Sequence, residues 1–569
     1  MSPVEVNGDQ GREILLQVEG EKKLIPSGTE LRSLVPADRL RGPGEVLAAL
    51  YNQRVASLSY RPSSGGTVEW LTFGDRHGWD VYRRSACLML QAAVKRAFPE
   101  LHLVLQQTHG DGLYYEVQGL PAGEDFGAER CKILTRVMRE LHKRDLPFTV
   151  RRISVDEARE LLEGLGLMDK LELLRTHWET SLRVVSLEQV IDLFHASVCY
   201  STGAVRAFKL EPYEGGFILR LPVRGSARVE GRLKVSRTIF SAHRETRSWN
   251  ERVGVANLGH LNRLTVSGGI EELIRMAESY HEKKIAAIAE RIAHARRRPR
   301  LVLVAGPSSS GKTTFVKRLS IQLRVLGIWP LALSVDNFFV PREKTPRDSR
   351  GEYDFECLEA LDLRLFNKVL TDLLQKGAAR VPRYDFHMGR PIDRKDWDEF
   401  SLQPHQVVLV EGIHALNPLL TPAVSARDKF RIYISALTQL SIDDDNRIFT
   451  SDTRLLRRIV RDRRYRGYSA AETVKRWPMV RQGERRHIFP FQDQADVMFN
   501  SALIYEHAVL RNYAERFLLE VDVGDPTFAE VYRLLGFLRL VVPTPPDAVP
   551  QTSLLREFIG GSGFSYNSH

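Results

Sequence analysis

Residues 306–313, with the sequence GPSSSGKT, match the phosphate-loop pattern G-x-x-x-x-G-K-[ST]. An apolar run, 301–305, precedes the loop and a helix-like segment, 314–319, follows it, so the local order is strand, loop, helix. In that layout backbone N–H groups surround phosphate oxygens, the Lys312 ammonium neutralises charge, and the Thr313 hydroxyl can hold Mg²⁺. We therefore expect a nucleoside triphosphate. The predicted phosphate-binding residues are Gly306, Ser308, Ser309, Ser310, Gly311, Lys312, Thr313 and Thr314.

The 569 residues exceed the size at which one hydrophobic core keeps growing, so we expect about three or four domains. A net charge of +11 favours anionic partners such as nucleotides or RNA, although it also serves solubility alone. The 4 cysteines include no CxxC pair, which is typical of a reducing compartment. The first residues lack a signal-peptide pattern, and no run of about 18 apolar residues occurs. We expect a cytoplasmic protein without a membrane partner.

The N-terminal 240 residues divide into two α+β regions. In 1–72, strand-like runs at 13–18 and 54–58 flank a helix-like segment at 45–50. In 73–240, helical patterns alternate with strand patterns. The helical patterns cover 86–98 and 128–144, and the strand patterns cover 101–105, 113–117, 148–153 and 216–222.

Apolar residues recur at helical spacing within 268–298, which predicts a connecting helix that Pro299 stops. The arginines at its end could contact RNA, but cations at a helix C-terminus usually complement its dipole. Strands then alternate with helices over 299–528, as in a parallel doubly wound α/β sheet. The proline- and glycine-bearing tail, 529–569, is expected to be partly flexible.

Two acids follow predicted strands of this last region. Asp336 directly follows the apolar run 331–335, and Glu411 directly follows the apolar run 407–410. Ligands bind at the carboxyl ends of such strands, where Asp336 could accept a proton from an attacking hydroxyl and Glu411 could hold Mg²⁺. Either acid alone could equally be a strand-end cap or a solvated turn. Together in one phosphate-loop domain they favour metal-assisted phosphoryl transfer.

Seven arginines lie within residues 452–467, which are predicted to form a helix and its exit. Such a helix can be a solvated face or an RNA-binding face. Next to a triphosphate it can also supply mobile cations that close over the γ-phosphate. The guanine-recognition motif and the signature of transporter ATPases are both missing from the sequence, which lowers the weight of those two classes.

Several ordered motifs make the region 299–528 resemble the uridine kinase family, within the phosphoribulokinase/uridine kinase group. They are the phosphate loop, SVDNFF at 334–339, DFE at 354–356, PRYDF at 382–386, VEG at 410–412 and the arginine stretch reaching 467. The resemblance implies ATP and Mg²⁺ as cofactors. It implies Asp336 as catalytic base, with Lys312, Arg461 and Arg466 stabilising the transferred charge. Metal contacts would come from Thr313, Asp336 and Glu411, and substrate contacts from Glu356, Tyr384 and Arg458.

The acceptor pocket departs from this family. Glu356 stands where aspartate is common, Tyr468 where a further arginine is common, and the segment after Tyr384 is shorter. Uridine is therefore only a family expectation, and a nucleoside-like acceptor is the broader one.

Residues 1–240 resemble the N-terminal part of threonyl-tRNA synthetase. The resemblance rests on YRRS at 82–85, GDGLYYE at 110–116 and AVRAFKL at 204–210. It implies a β-grasp module of the TGS type in 1–72, then a domain like the synthetase's second additional domain, which edits mischarged tRNA, in 73–240. Metal-binding pairs in such domains are His-x-x-x-His and Cys-x-x-x-His. Arg84, Leu88, Phe194 and Val198 occupy those positions here, so we expect no zinc.

Three hypotheses remain open at the level of sequence. The leading one is an ATP- and Mg²⁺-dependent kinase of a nucleoside-like hydroxyl. A second is an ATP-sensing regulator that contacts RNA, tRNA or the ribosome through the N-terminal half. A third is a kinase of a non-nucleoside alcohol. Oligomer formation is possible under each.

Overall fold

The computed structural model describes residues 12–42, 44–348, 351–385 and 388–566. Its first sheet has five strands in the order β2-β1-β5-β3-β4. Strands β1 and β5 run parallel and the other pairs run antiparallel, as expected for a β-grasp module. The strands are β1 (Glu13–Val18), β2 (Glu21–Pro26), β3 (Val46–Tyr51), β4 (Arg54–Ser57) and β5 (Gly66–Thr72).

The helix predicted over 45–50 is wrong, because this segment forms β3. The strand is buried on both faces, since helix α1 (Arg76–Ala97) covers the side opposite the sheet's own core. Val46 and Ala49 pack into the core of the sheet, whereas Leu47 and Ala48 pack against α1. A strand covered on both sides reads as a continuous apolar run, and its sequence cannot be distinguished from that of a buried helix.

The second region contains two further sheets, in the orders β11-β12-β7-β6 and β10-β9-β8. Helices α1 and α2 supply the main apolar layer over them, through residues such as Leu90 and Leu134, which are fully buried. The elements are β6 (His102–His109), β7 (Gly112–Gln118), α2 (Gly127–Arg144), β8 (Thr149–Ser154), α3 (Val155–Gly164), α4 (Met168–Leu174), β9 (Ser181–Leu187), β10 (Val190–Leu193), β11 (Lys209–Tyr213) and β12 (Gly216–Arg220).

Three helices then lead to the C-terminal region: α5 (Arg237–Arg252), α6 (Leu258–Ser267) and α7 (Ile270–Ala293). Helix α7 forms within the predicted connecting segment, and its Ile285, Ile288 and Ile292 are buried against the next sheet. The prediction that Pro299 stops it is wrong, because the helix already ends at Ala293, where its buried apolar stripe ends. Its other face carries charged residues, and no helix in the described ranges has the length and apolar character needed to cross a membrane.

A five-stranded parallel sheet organises the C-terminal region, in the order β14-β19-β13-β20-β21. Both faces are covered: Leu303 of β13 packs into one core and Val302 into the other, which confirms the doubly wound α/β arrangement. The elements are β13 (Leu301–Ala305), α8 (Lys312–Val325), β14 (Pro330–Ser334), α9 (Leu363–Lys376), β15 (Ala378–Val381), β16 (Tyr384–Asp385), β17 (Arg390–Pro391), β18 (Asp398–Ser401), β19 (Val407–Glu411), β20 (Lys429–Ser435) and β21 (Val497–Asn500).

The expectation of a partly flexible tail is wrong for residues 529–566. Helices α10 (Thr450–Tyr465), α11 (Ala470–His487) and α12 (Glu506–Leu519) form a layer, against which α13 (Phe528–Leu538) and α14 (Arg556–Ile559) pack. Leu538, Leu555 and Phe558 are fully buried there. Proline removes a backbone donor and fixes φ, but it does not prevent a segment with enough apolar side chains from packing.

Candidate active site

The loop from Gly306 to Gly311 connects β13 to the N-terminus of α8, as the sequence pattern predicts. Two glycines are required by the backbone. A Cβ at Gly306 would lie 2.1 Å from the Ile434 carbonyl oxygen, and Gly311 has φ of 83° and would bring a Cβ to 2.8 Å from Leu554 Cδ2. The Lys312 ammonium folds back and donates to the Gly306 and Pro307 carbonyls, at 3.0 and 3.2 Å.

The structure brings the predicted catalytic acids and Lys312 together. Asp336 follows β14 and Glu411 ends β19, and these strands are parallel neighbours. Burial lowers the pKa of Lys312, against the attraction of Glu411 and Asp336. Burial, and then the charge of Asp336, raise the pKa of Glu411 to about 7. Two carboxylates and an ammonium therefore share one low-dielectric pocket beside the loop.

The donor set fits a hard divalent cation. The Thr313 hydroxyl lies 3.3 Å from one Glu411 carboxylate oxygen, and Asp336 contributes a second carboxylate. Hydroxyl and carboxylate oxygens are the ligands that Mg²⁺ prefers. A cation between these groups would offset the repulsion between Asp336 and Glu411, so the residues present fit Mg²⁺.

Asp462 orders three arginines of α10 and its C-terminal end. Arg461 donates to Asp462 at 2.8 Å, Arg458 donates to it at 3.1 Å, and Arg466 lies 3.6 Å from it. The positive charge of Arg461, followed by burial, lowers the pKa of Arg466 to about 10. Arg458 also donates to the Ser308 hydroxyl at 2.9 Å, so it contacts the loop as well as the predicted acceptor side.

Two further arginines of α10 support the loop from behind, and the sequence analysis did not assign them a role. Arg454 donates to the Ser308 carbonyl at 2.9 Å and pairs with the buried Glu484. Arg457 donates to the Ser309 carbonyl at 3.4 Å and to Glu506 at 2.6 Å. With Arg458 and Arg461 they recur at helical spacing, which places all four on one face. That periodicity was the available signal.

Glu356 and Tyr384 lie on the predicted acceptor side. Burial, and then the charge of Glu484, raise the pKa of Glu356 to about 7. One of its carboxylate oxygens, Oε2, is buried without a hydrogen-bond partner among the described residues. Helix α11 packs closely here, because a Cβ at Gly483 would lie 2.4 Å from Glu356 Cβ. The Tyr384 ring packs on Phe339, with centroids 5.7 Å apart.

The C-terminal segment supplies a carboxylate to the helix N-terminus, which no sequence pattern indicates. Oε2 of Glu557 accepts hydrogen bonds from the backbone N–H and the hydroxyl of Thr314, at 3.2 and 2.6 Å. The Tyr566 hydroxyl lies 2.9 Å from the same Thr314 hydroxyl. Because Thr314 belongs to the predicted phosphate-binding set, Glu557 lies where a phosphate oxygen is expected.

Sequence comparisons match the C-terminal region to a known family. The model of the phosphoribulokinase / uridine kinase family matches residues 301–503. Uridine-cytidine kinase 2-B of Danio rerio is 30% identical over 219 residues, covering 36% of this chain and 74% of that kinase. The chain belongs to the phosphoribulokinase/uridine kinase family. Among solved structures, a possible uridine kinase from Bacillus stearothermophilus aligns with a TM-score of 0.23 and 24% identity, covering 26% of this chain and 79% of that one.

The N-terminal half of the chain matches a different protein. The threonine–tRNA ligase of Carboxydothermus hydrogenoformans is 32% identical over 174 residues, which is 30% of this chain. The chain spans only 27% of that ligase's length. This match confirms the resemblance of the N-terminal half to threonyl-tRNA synthetase.

The positions of the expected metal-binding pairs carry apolar and cationic side chains. Leu88 and Val198 are buried, Arg84 donates to the Ser197 carbonyl at 2.9 Å, and Arg183 stacks on Phe194 with its guanidinium carbon 4.5 Å from the ring centre. None of these four positions offers the nitrogen or thiolate ligand that zinc requires.

An acidic cluster nearby already holds a cation of the protein itself. Asp192, Asp443 and Asp445 converge, and the ammonium of Lys170 lies 3.0, 3.3 and 2.8 Å from them. Lys170 belongs to the synthetase-like half, whereas Asp443 and Asp445 precede α10 of the kinase half. This fully buried lysine therefore connects the two halves of the chain through ion pairs.

Proposed function

We propose that this family member is an ATP- and Mg²⁺-dependent kinase that transfers the γ-phosphoryl group to a hydroxyl of a nucleoside-like acceptor. The observation that supports this most directly is the convergence of Lys312, Thr313, Asp336 and Glu411 beside the phosphate loop, with Thr313 and Glu411 3.3 Å apart. Phosphoryl transfer relies on positioning and charge stabilisation, and this pocket offers both.

In the proposed reaction the loop amides and Lys312 hold the phosphates, while Thr313, Asp336 and Glu411 hold Mg²⁺. The metal would neutralise charge on the phosphate oxygens. Asp336 accepts the proton of the acceptor hydroxyl as its oxygen attacks the γ-phosphorus. Arg461 and Arg466 stabilise the charge on the transferred group. Asp462 holds both of them, and Arg458, which also pairs with Asp462, reaches the Ser308 hydroxyl of the loop.

The acceptor is proposed to bind between Glu356, Tyr384 and Arg458. The unpaired carboxylate oxygen of Glu356 can accept hydrogen bonds from vicinal hydroxyls of a ribose-like ring. Arg458 supplies donors on the same side, since Glu356 and Arg458 attract each other. These contacts support an acceptor with at least two hydroxyl groups.

The direct test is a coupled assay of the purified chain with ATP, Mg²⁺ and a panel of nucleosides. We expect turnover of at least one nucleoside, and we expect Asp336→Asn to lower kcat about 10²- to 10⁴-fold while ATP still binds. The exposed Asp396 gives a matched control, because Asp396→Asn removes the same charge away from the site. Equal kcat for Asp336→Asn and the wild type would remove Asp336 from the mechanism.

A second candidate function is an ATP-sensing regulator that contacts RNA, tRNA or the ribosome, and the 174-residue match to a threonine–tRNA ligase favours it. Salt-dependent tRNA or ribosome binding that persists in Lys312→Ala, with no acceptor phosphorylated, would support this candidate over the kinase. Turnover of a sugar or other alcohol, with nucleosides inert, would instead support a kinase of non-nucleoside alcohols.

A further inference from the structure

A large cavity lies between the synthetase-like half and the kinase half, away from the phosphate loop. Its volume is about 1640 Å³, and α1, the β9–β10 region, α11 and α13 all contribute to its wall. Pockets for drug-sized ligands typically measure about 300–1,000 Å³, so this cavity has room for more than one nucleotide. Twelve basic side chains line it, against seven acidic ones.

The acids of the wall neutralise only some of these cations. Asp192 and Asp445 pair with Lys170, and Asp111 pairs with Arg220, which lie outside the wall. Asp452 pairs with Arg533 and Asp80 with Arg83, which belong to it. Arg84, Arg447, Arg481 and Arg485 form no ion pair with any residue in the described ranges. The wall therefore carries surplus positive charge at guanidinium groups, which bind phosphate oxygens in a fork geometry.

Two buried guanidiniums of the wall have hydrogen-bonding capacity left. Arg83 and Arg447 are each 7% exposed, and the buried Nε of each finds no hydrogen-bond partner among the residues that the structure describes. Both stack on Phe449, with guanidinium carbons 4.4 and 5.2 Å from its ring centre. Burial, then the charge of Arg83, lower the pKa of Arg447 to about 9. Asp80 pairs with Arg83 at 3.2 Å, whereas Arg447 forms no ion pair with a described residue, so an added anion would stabilise its buried charge.

Aromatic side chains accompany the arginines. Trp178 is 76% exposed and lines the cavity, as do Phe194, Phe489 and Phe537. Exposed tryptophan is a stacking surface for unpaired bases, and stacking combined with a cationic groove is how proteins bind single strands without reading their sequence.

We propose that this cavity binds a single-stranded oligonucleotide, with phosphates on Arg481, Arg485 and Arg447 and a base stacked on Trp178. This goes beyond the proposed kinase activity, since the site lies on the other side of α11. Cavity and phosphate loop are connected through that helix: Arg481 and Arg485 face the cavity, whereas Glu484 accepts a hydrogen bond from the Ser308 N–H at 3.1 Å.

The test measures fluorescence anisotropy of a labelled hexauridylate RNA with the full chain in EDTA, over a series of salt concentrations. Arg481→Ala and Arg485→Ala are each expected to weaken binding about tenfold and to make the salt slope less negative by about 0.7, the value for one phosphate contact on a single strand. Trp178→Ala is expected to weaken binding several-fold at unchanged slope. Arg486 is the matched control, because it is exposed on the same helix and does not line the cavity.

Competition by unlabelled hexathymidylate distinguishes RNA from DNA as the ligand, and either would support an oligonucleotide site. Displacement by inorganic tripolyphosphate as effective as that by the oligonucleotide would overturn the proposal, because bases would then contribute nothing. Equal binding by the Arg481, Arg485 and Arg486 variants would also overturn it, since the RNA would then lie elsewhere. Unchanged melting temperatures of the variants keep these outcomes separate from misfolding.

Discussion

Replacement of Glu557 by alanine is expected to tighten ATP binding. Its carboxylate accepts hydrogen bonds from the N–H and the hydroxyl of Thr314, at 3.2 and 2.6 Å, and thereby occupies donors that the phosphate loop needs. ATP must displace this carboxylate before Thr314 can bind a phosphate oxygen. A hydrogen bond to a charged group contributes about 1.5–3 kcal/mol net, and about 1.4 kcal/mol corresponds to a tenfold change in affinity. Glu557→Ala should therefore lower the Kd for ATP about tenfold or more.

Isothermal titration calorimetry of ATP, with and without Mg²⁺, measures this effect. Glu557→Gln retains an acceptor without the charge and should give an intermediate Kd. Asp547, an exposed acid of the same C-terminal segment, is the control, and Asp547→Ala should leave the Kd unchanged. If Glu557→Ala binds ATP no more tightly than the wild type, at an equal melting temperature, the carboxylate does not compete with phosphate and the reasoning fails.

Four further perturbations follow from contacts described above. Arg461→Ala should lower kcat about 10²-fold or more at an unchanged melting temperature. Arg457→Ala removes the ion-pair partner of the buried Glu506, so it should lower the free energy of unfolding by about 3–5 kcal/mol. Burial raises the pKa of Glu356 from 4.5 to about 7. Between these pH values the folded state holds a proton that the unfolded state has lost. The free energy of unfolding should therefore fall as pH rises from about 5 to 7. Lys170→Met should cost about 3–5 kcal/mol and separate the two halves on heating, because the acids around it lose their cation.

The predictions for Arg461, Glu356 and Lys170 each have a control variant and an outcome that would contradict them. Arg463→Ala removes a charge from the same helix farther from the loop, and an equal loss of kcat would show a non-specific charge effect. Glu356→Gln should flatten the pH dependence of chemical denaturation, and an unchanged slope would assign it to another group. Lys143→Met alters an exposed lysine, and an equal loss of stability there would show that the buried cluster is not special.

Short contiguous sequence patterns predicted the phosphate-binding part of the candidate site. The phosphate loop consists of a strand, a turn and a helix that are contiguous in the chain. The sequence of residues 301–319 is therefore enough to predict its geometry. Asp336 and Glu411 were predictable because each directly follows an apolar strand, and parallel strands bring their ends to one edge. The same local logic failed at 45–50, where β3 is covered on both faces and loses the alternation that marks a strand.

The amino-acid sequence by itself determined the loop, the acids at the strand ends, the arginine face of α10 and the side chains at positions 84, 88, 194 and 198 of the synthetase-like half. Only the tertiary structure decided that Glu484 and Glu557 reach the loop, from 176 and 243 positions away, and that arginines of both halves converge on one cavity. The physical reason is that hydrogen-bonded spacing along a strand or helix is encoded in a few neighbouring residues. A contact between distant segments depends on how buried surfaces of the whole chain fit together, and no short stretch of sequence carries that information.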